Sequence, residues 1–335
     1  MAAGFLEHYL QPLAPLIEDP VAIELSINAD GRVWIERSGD AHMSAVPDLT
    51  LTPRAVSDLA SQIANEVRQA LTEQSPMVSA TVGFRGVTLR AQAVLPPASA
   101  QGAVLAFRLF RARGETDEPK QFAYLRAPDT SSEAARRETI RSIRALIQPD
   151  GDPDAFLRAA ITEKLNILVS GGTSTGKTEL ARRLQWMIPE AERLVLIEDA
   201  PELMPGQPNH VSLVASRDET SPRSAEKLLQ ATLRLRPDRI ILGELRGREA
   251  VTYLGAINSG HGGSFTTLHA ETARKAFDKL ALLVLETGTR LSFTEALRYL
   301  SGSVDLVIQA GRIGHNRGIL ELWFPGLDDD HRDDA

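Results

Sequence analysis

The sequence has 335 residues, of which 43% are hydrophobic and 24% are charged, and these proportions are typical of a globular protein with two domains of ordinary size. The chain has no cysteine, which excludes disulfides and thiolate metal sites, and its net charge of −7 leaves no basic domain for a nucleic acid. No apolar run approaches the ~20 residues of a membrane span and the start does not resemble a signal peptide, so we expect a cytoplasmic protein.

Residues 1–126 are predicted to form a small α+β domain. Apolar residues at helical spacing predict a first helix over 5–18. A second helix is predicted from Thr52 to about Leu71, because threonine followed by proline is a favoured helix start. Five strands are predicted, the first from the alternation of Ile23, Leu25 and Ile27, and an Asp30-Gly31 hairpin turn joins it to the second. Their approximate ranges are 23–27, 33–35, 77–84, 87–95 and 103–110.

Residues 127–152 are predicted to be an interdomain linker, because breaks rich in proline, glycine and aspartate flank a charged segment over 133–147 that has helical character. Strands and helices alternate over 153–327, which predicts a parallel sheet built from βαβ units. The predicted strands lie at 167–170, 194–198, 211–215, 239–243, 263–269, 305–309 and 318–324. Residues 328–335 are predicted to be a solvated acidic tail.

One segment of the second domain carries a specific motif, which consists of Gly171, Gly172, Thr173, Ser174, Thr175, Gly176, Lys177 and Thr178. It follows an apolar strand and precedes a helix, which is the context of the phosphate-binding pattern G-x-x-x-x-G-K-[ST]. Gly171 and Gly176 permit backbone angles at which successive N–H groups turn toward phosphate oxygens. Lys177 is predicted to bind the β- and γ-phosphates of a nucleotide, and Thr178 to bind Mg²⁺. The alternative is a chance glycine turn.

Polar side chains end three other predicted strands. In a phosphate-loop sheet the ligand lies beyond the carboxyl ends of the strands. Glu198 and Glu202 follow one strand and are candidates for Mg²⁺ binding or water activation, with a helix or turn cap as the alternative. Glu244 follows an apolar strand in the manner of a Walker B segment. His269 ends a third strand and is a candidate for sensing the γ-phosphate, with a structural histidine as the alternative.

With these motifs in place, the chain resembles the hexameric traffic ATPases of bacterial type IV secretion, within the superfamily that also drives type II secretion and type IV pili. The resemblance covers nearly the whole chain. It is most specific in four segments that look like the family's Walker A, Asp box, Walker B and His box, namely Gly171–Thr178, Ile197–Leu203, Leu233–Gly247 and Ser259–Ala270. The fold class is accordingly predicted to be α/β, with a RecA-like P-loop NTPase C-terminal domain and a smaller α+β N-terminal domain.

The resemblance also implies roles for individual residues. Lys177, His269, Arg236, the Asp-box acids Glu198 and Glu202, and the Walker B acid Glu244 would be catalytic. Glu244 and Thr178 would also be ligands of Mg²⁺.

The resemblance assigns three arginines to phosphate contacts. Arg236 matches the family arginine that reaches the phosphate, although spacing alone does not select it among its neighbours. Arg108 and Arg90 look like the N-terminal arginines that point at the γ-phosphate, with Arg85 close to the second of them. Two residues of the phosphate loop region depart from the family pattern, Ser174 from glycine and Glu179 from threonine.

The resemblance implies a motor in which ATP hydrolysis drives domain motion. It would be a homohexameric ring at the cytoplasmic face of the inner membrane that powers substrate transfer or pilus biogenesis, with inner-membrane channel components and coupling proteins as partners. A DNA-translocating or helicase-type RecA-like ATPase is the alternative, but nucleic acid binding is not expected, given the acidic charge and the aromatic content of 5%. An ATP-binding scaffold without turnover is a further alternative, and a small-molecule kinase is disfavoured because no substrate lid is recognisable.

Overall fold

The computed structural model describes residues 5–112, 122–125, 127, 129, 131–148 and 151–328. The chain splits into two compact units, the first made of Met1–Ala112 with Pro189–His261 and the second of Arg113–Ile188 with Gly262–Ala335. The predicted domain boundaries at residues 126 and 152 stay a prediction. Of the predicted acidic tail, only Asp328 lies within the described residues. Across these ranges, no helix is long and apolar enough to cross a membrane.

The strands of the described residues are β1 (Ala22–Ile27), β2 (Arg32–Arg37), β3 (Ser44–Thr50), β4 (Met77–Phe84), β5 (Val87–Val94), β6 (Val104–Arg111), β7 (Ile167–Ser170), β8 (Leu194–Glu198), β9 (His210–Val214), β10 (Arg239–Leu242), β11 (Phe265–Leu268), β12 (Leu306–Ile313) and β13 (Asn316–Trp323). The helices are α1 (Phe5–Leu10), α2 (Ala14–Ile17), α3 (Pro53–Glu66), α4 (Ser132–Arg144), α5 (Asp154–Thr162), α6 (Lys177–Trp186), α7 (Ala225–Thr232), α8 (Glu249–Asn258), α9 (Ala273–Glu286), α10 (Phe293–Ser301) and α11 (Pro325–Asp328). A 3₁₀ turn over Gln11–Leu13 joins α1 to α2.

The N-terminal part of the first unit is a six-stranded antiparallel sheet in the order β3-β2-β1-β6-β5-β4. Its apolar face packs against α1 and α3 to form one core. The prediction of five strands was wrong, because β3 was missed. This edge strand contains Pro47 and Asp48, and most of its residues are exposed, so it has neither the alternation nor the composition of a half-buried strand.

The two predicted N-terminal helices are present, but the second ends at Glu66 rather than near Leu71, and the first is not continuous. The segment predicted as one helix over 5–18 is divided by the 3₁₀ turn, where Pro12 cannot donate a backbone hydrogen bond to continue the helix. Helix α3 starts as expected, since the Thr52 hydroxyl accepts a hydrogen bond from the Ala55 N–H at 3.2 Å and Pro53 occupies the first helical position.

The first unit also contains three parallel strands in the order β10-β8-β9. Arg193, which is fully buried just before β8, connects these strands to the N-terminal sheet through hydrogen bonds. Its guanidinium donates to the Leu235 carbonyl at 2.8 Å and to the Asn28 side-chain oxygen at 2.7 Å, and it also bonds to Asn209. Buried polar groups need such partners, so this network fixes how β1 meets the β8–β9 segment.

The second unit contains four strands in the order β13-β12-β7-β11, parallel except for the antiparallel β12–β13 hairpin. The helix expected within 133–147 is present as α4. Arg136 of α4 bonds Asp305 at 2.7 Å and the Lys164 carbonyl at 2.7 Å. Asp305 also accepts the N–H of Asn166 at 2.7 Å, at the start of β7. This part of the predicted linker is therefore packed onto the second unit.

We expect Arg239→Met to destabilise the first unit strongly. Arg239 and Glu192 form a buried ion pair at 2.6 and 2.8 Å, with side chains 0% and 4% exposed. Removal of one partner leaves a buried charge, which costs ~3–5 kcal/mol, whereas replacement of both by apolar residues costs far less. Urea denaturation should show a large drop in midpoint for Arg239→Met and a substantial recovery for Arg239→Met with Glu192→Leu. Equal midpoints for the single variant and the wild type would contradict this.

Candidate functional site

The segment Gly171–Thr178 forms a loop between β7 and the first turn of α6. Both of its outer glycines are required, for different reasons. Gly176 has a φ of +96°, a left-handed conformation that suits glycine. At Gly171 the reason is close approach, because an added Cβ would lie 2.5 Å from the Thr175 hydroxyl and 2.7 Å from the Ala310 carbonyl oxygen. The loop is therefore packed tightly at the end of β7.

Lys177 and His269 are brought together at this loop. The Lys177 ammonium donates to the carbonyls of Gly171 at 2.9 Å and Gly172 at 2.8 Å, and it lies 3.2 Å from His269 Nδ1. His269 follows β11, whose last residue, Leu268, pairs with the last residue of β7. Because an ammonium only donates, Nδ1 accepts the bond, which assigns the ring proton to Nε2 in a neutral histidine.

The other loop residues stabilise the turn or line it. The Thr175 hydroxyl donates to the Gly172 carbonyl at 2.9 Å. Ser174 has a φ of +60°, and Thr173 is exposed. Thr178 lies half-buried in the first turn of α6.

The fit of Mg²⁺ to this loop depends on its oxygen donors. Within the described ranges, no three His, Cys, Asp or Glu side chains are grouped so that they could hold a metal ion. Mg²⁺ in nucleotide sites takes one or two protein oxygens and completes its coordination with phosphates and waters. The hydroxyl of Thr178 is a donor of that kind, so the residues present fit a metal that arrives with the nucleotide.

The predicted acid Glu198 is the last residue of β8 in the first unit, and it lies beside the residue that follows β10. Glu198 is 7% exposed, and its Oε1 accepts the N–H groups of Glu202 and Leu203, both at 3.0 Å. A Cβ added to Gly243 would lie 3.4 Å from the Glu198 Cγ, so glycine lets β10 end beside this acid. Glu198 thus fixes the start of the loop that carries the exposed Glu202.

Glu244 is held by an arginine that the sequence analysis missed. Its Oε2 accepts from Arg246 Nε at 2.8 Å and Nη2 at 2.5 Å, and this bonding raises the pKa of Arg246. Arg246 also pairs with Asp199, which in turn bonds Arg217 at 3.0 Å. The available signal was an arginine two residues after the acid, in Glu244-Leu245-Arg246. The pair fixes the direction of the Glu244 carboxylate.

Arg90 and Arg108 lie directly opposite each other on β5 and β6. Both guanidiniums lie over the ring of Phe110, at 4.7 and 5.6 Å from its centroid, and the Arg108 side chain is 66% exposed. Like charges directly opposite each other are unfavourable in a sheet. An exposed pair of cations on one face is an arrangement that fits an anion.

A row of charges continues from Arg108 across the N-terminal sheet. Glu24 on β1 is the register partner of Arg108 and also of Glu36 on β2, and its carboxylate lies 3.8 Å from Arg108 Nε. Glu36 pairs with Arg236, which also pairs with Asp238. The Arg236 side chain is 16% exposed. The predicted contact between Arg236 and a phosphate stays a prediction.

Burial, followed by the neighbouring Glu36 carboxylate, raises the pKa of Glu24 to about 7, while Arg108 and Arg236 oppose the shift. The charged groups that surround it are thus two arginines and one carboxylate, with the buried Arg193 nearby. Glu24 and Glu36 have no recognisable motif, and only the strand register brings them to the arginines.

The whole chain is similar to known secretion proteins. A family model described as "Type II/IV secretion system protein" matches residues 133–313. The sequence is 34% identical over 337 residues to "Type IV secretion system protein VirB11" of Brucella suis biovar 1 (strain 1330), a match that covers 96% of this chain and 91% of that protein. It is 31% identical over 326 residues to "Protein VirB11" of Agrobacterium tumefaciens (strain 15955), with 95% and 93% covered.

A solved structure agrees with these sequence matches. The crystal structure of the VirB11 ATPase from the Brucella suis type IV secretion system, in complex with sulphate, superposes with a TM-score of 0.82 at 33% sequence identity. The match covers 96% of this chain and 94% of that one. The predicted fold class and the resemblance to type IV secretion ATPases are confirmed.

We expect stability to fall as the pH rises from about 4.5 to about 7, because folded Glu24 holds its proton more tightly than unfolded Glu24 does. Glu24→Gln removes this dependence. It should raise the urea midpoint at about pH 8, by the equivalent of ~1–3 kcal/mol, and change it little at about pH 5. Glu73→Gln, on an exposed residue of the same unit, is the matched control. The same midpoint shift at both pH values would contradict this assignment.

Proposed function

We propose specific roles for the site residues of this chain on the premise that it belongs to the Type II/IV secretion system protein family and is an ATPase that powers secretion. The observation that carries the proposal is the position of Lys177. Its ammonium is held inside a loop of left-handed and glycine residues, next to a histidine at the end of a neighbouring strand. This is the arrangement that phosphate binding requires.

In the proposed binding step, phosphate oxygens of ATP replace the carbonyls of Gly171 and Gly172 as acceptors for the Lys177 ammonium. Backbone N–H groups of the loop and the N-terminal end of α6 add further donors. His269 accepts from Lys177 through Nδ1, and its Nε2–H is the ring donor that would bind the γ-phosphate. Loss of that phosphate then removes a hydrogen bond from His269, which suits it to a sensor role.

We propose a separate role for each of the predicted acids. Mg²⁺, when bound with the nucleotide, would neutralise charge on the phosphates, and Thr178 and Glu244 would hold it. The ion pair with Arg246 orients the Glu244 carboxylate. Glu198 uses its carboxylate to order the backbone before Glu202, so we propose that it acts through that loop, and that Glu202 helps to orient the attacking water.

Three arginines are proposed to bind the γ-phosphate and to respond to its loss. Arg90 and Arg108 present two guanidiniums on one face, and an anion between them would relieve their mutual repulsion. Arg236 and Arg108 are each paired with a carboxylate, Glu36 and Glu24 respectively, to which they can return once the phosphate has left. Contacts that form with a γ-phosphate and are lost on hydrolysis are a common way to convert hydrolysis into motion.

At the level of the assembly, we propose a homohexameric ring at the cytoplasmic face of the inner membrane. Channel components and coupling proteins of a secretion system would be its partners, and its work would be substrate transfer, pilus biogenesis or both. Support comes from the curated relatives, which are named as type IV secretion system proteins. We do not expect DNA to stimulate hydrolysis.

Lys177→Ala should abolish ATP turnover without unfolding the protein, because it removes the charge that binds the β- and γ-phosphates. A phosphate-release assay with excess ATP and MgCl₂ measures this, and a thermal melt without nucleotide checks the fold. Lys275→Ala is the matched control, since Lys275 is an exposed surface lysine of the same unit that pairs with Glu271. Hydrolysis by Lys177→Ala at the control's rate would overturn the proposed site.

Arg108→Ala should lower kcat by at least ~10-fold, the scale expected for an arginine that binds transition-state charge. Native mass spectrometry with and without a non-hydrolysable ATP analogue would test the ring in the same samples, with hexamers expected for the wild type. Arg54→Ala, on the exposed face of α3, controls for the loss of one positive charge. Monomers under every condition would argue against the ring, and unchanged kcat would remove Arg108 from the site.

A further inference from the structure

The β12–β13 hairpin extends past the end of β7 and runs beside the phosphate loop. The last pair of β7 with β12 is Ser170 with Gln309, and β12 then continues to Ile313 while paired with β13. Ala310 is the first residue of β12 beyond this pair. Its carbonyl oxygen would lie 2.7 Å from a Cβ added to Gly171. The hairpin therefore forms a fixed wall against the outside of the loop.

One side chain of this hairpin bonds directly to the loop. Arg317 Nε donates to the carbonyl oxygen of Ser174 at 3.0 Å. The aliphatic part of Arg317 also lies against Gly176, where an added Cβ would be 3.6 Å from the arginine Cδ. Arg317 thus contacts the two loop residues that adopt left-handed backbone conformations.

Ser174 needs such support, because its φ of +60° is unfavourable for a residue that carries a Cβ. Glycine would adopt this conformation freely. The hydrogen bond from Arg317 to the Ser174 carbonyl therefore stabilises a conformation that glycine at position 174 would adopt with less support.

We infer that Arg317 is a positioning residue for nucleotide binding, which holds the peptide unit between Ser174 and Thr175 so that the Thr175 N–H faces the phosphates. In a planar trans peptide, the carbonyl and the following N–H point in opposite directions. Because Arg317 holds the Ser174 carbonyl on the hairpin side, the Thr175 N–H points away from the hairpin, where it can donate to a phosphate. This inference rests on the proposed function, in that the loop must bind a nucleotide.

The test is a double-mutant cycle on the full chain, with binding of ADP in MgCl₂ measured by calorimetry. Arg317→Met keeps the aliphatic stem and removes the guanidinium. It should weaken ADP binding about fivefold when residue 174 is serine, the scale of one lost hydrogen bond. In the Ser174→Gly background the same substitution should change affinity less than about twofold, since glycine holds the left-handed angle unaided.

Arg312→Ala is the matched control for charge. Arg312 lies directly opposite Arg317 on the hairpin and is exposed, so its removal takes away the same charge from the same element. ADP affinity should stay within about twofold of the wild type, because two exposed charges of one hairpin are screened alike by salt. A fivefold loss in this variant would overturn the proposal in favour of a general electrostatic effect.

Two further outcomes would also overturn the proposal that Arg317 is a positioning residue. An equal loss from Arg317→Met in the serine and glycine backgrounds would mean that the guanidinium acts on the nucleotide without Ser174, and unchanged binding in both would mean that it does not act at all. A wild-type protein that fails to bind ADP would instead reject the proposed function itself, and the positioning role with it. The proposal is supported if the wild type binds ADP and if Arg317→Met weakens ADP binding less in the Ser174→Gly background than in the serine background.

Discussion

The second unit depends on a constraint at the end of β7, where the chain must turn sharply into α6 and still hold an ammonium group. Gly171 has no room for a side chain, because the Ala310 carbonyl and the Thr175 hydroxyl occupy that space. The turn places two carbonyl oxygens on Lys177, and the parallel pairing of β7 with β11 brings His269 to the same ammonium. A change in strand register would move these groups apart, so the sheet sets the chemistry of the loop.

The first unit depends on charge in a comparable way. Arg90, Arg108, Glu24 and Glu36 occupy one row across four adjacent strands, and Arg236 extends it. Like charges are neighbours twice in this row, in the exposed pair of Arg90 with Arg108 and in the pair of Glu24 with Glu36, and burial together with Glu36 raises the pKa of Glu24. Structures keep such arrangements where they serve a function. A bound phosphate would complete the row at its arginine end.

Most of the elements followed from local chemistry. The Thr52 cap, the strands β4 to β6 and the glycine–lysine–threonine loop each depend on residues close in sequence, and each was predicted from them. The missed strand β3 shows the limit of this reasoning. It has a proline, an aspartate and little buried surface, and it is a strand only because β2 offers it hydrogen bonds.

The sequence by itself determined the phosphate loop, the acids and the histidine that end the strands, and the family, because these features depend on residue types at short spacings. Tertiary structure alone decided which partners those residues meet. The bonds from Arg317 to Ser174, from Arg246 to Asp199 and from Arg236 to Glu36 join positions 143, 47 and 200 residues apart. No short spacing encodes such pairs, since they depend on strand register and on how the sheets pack.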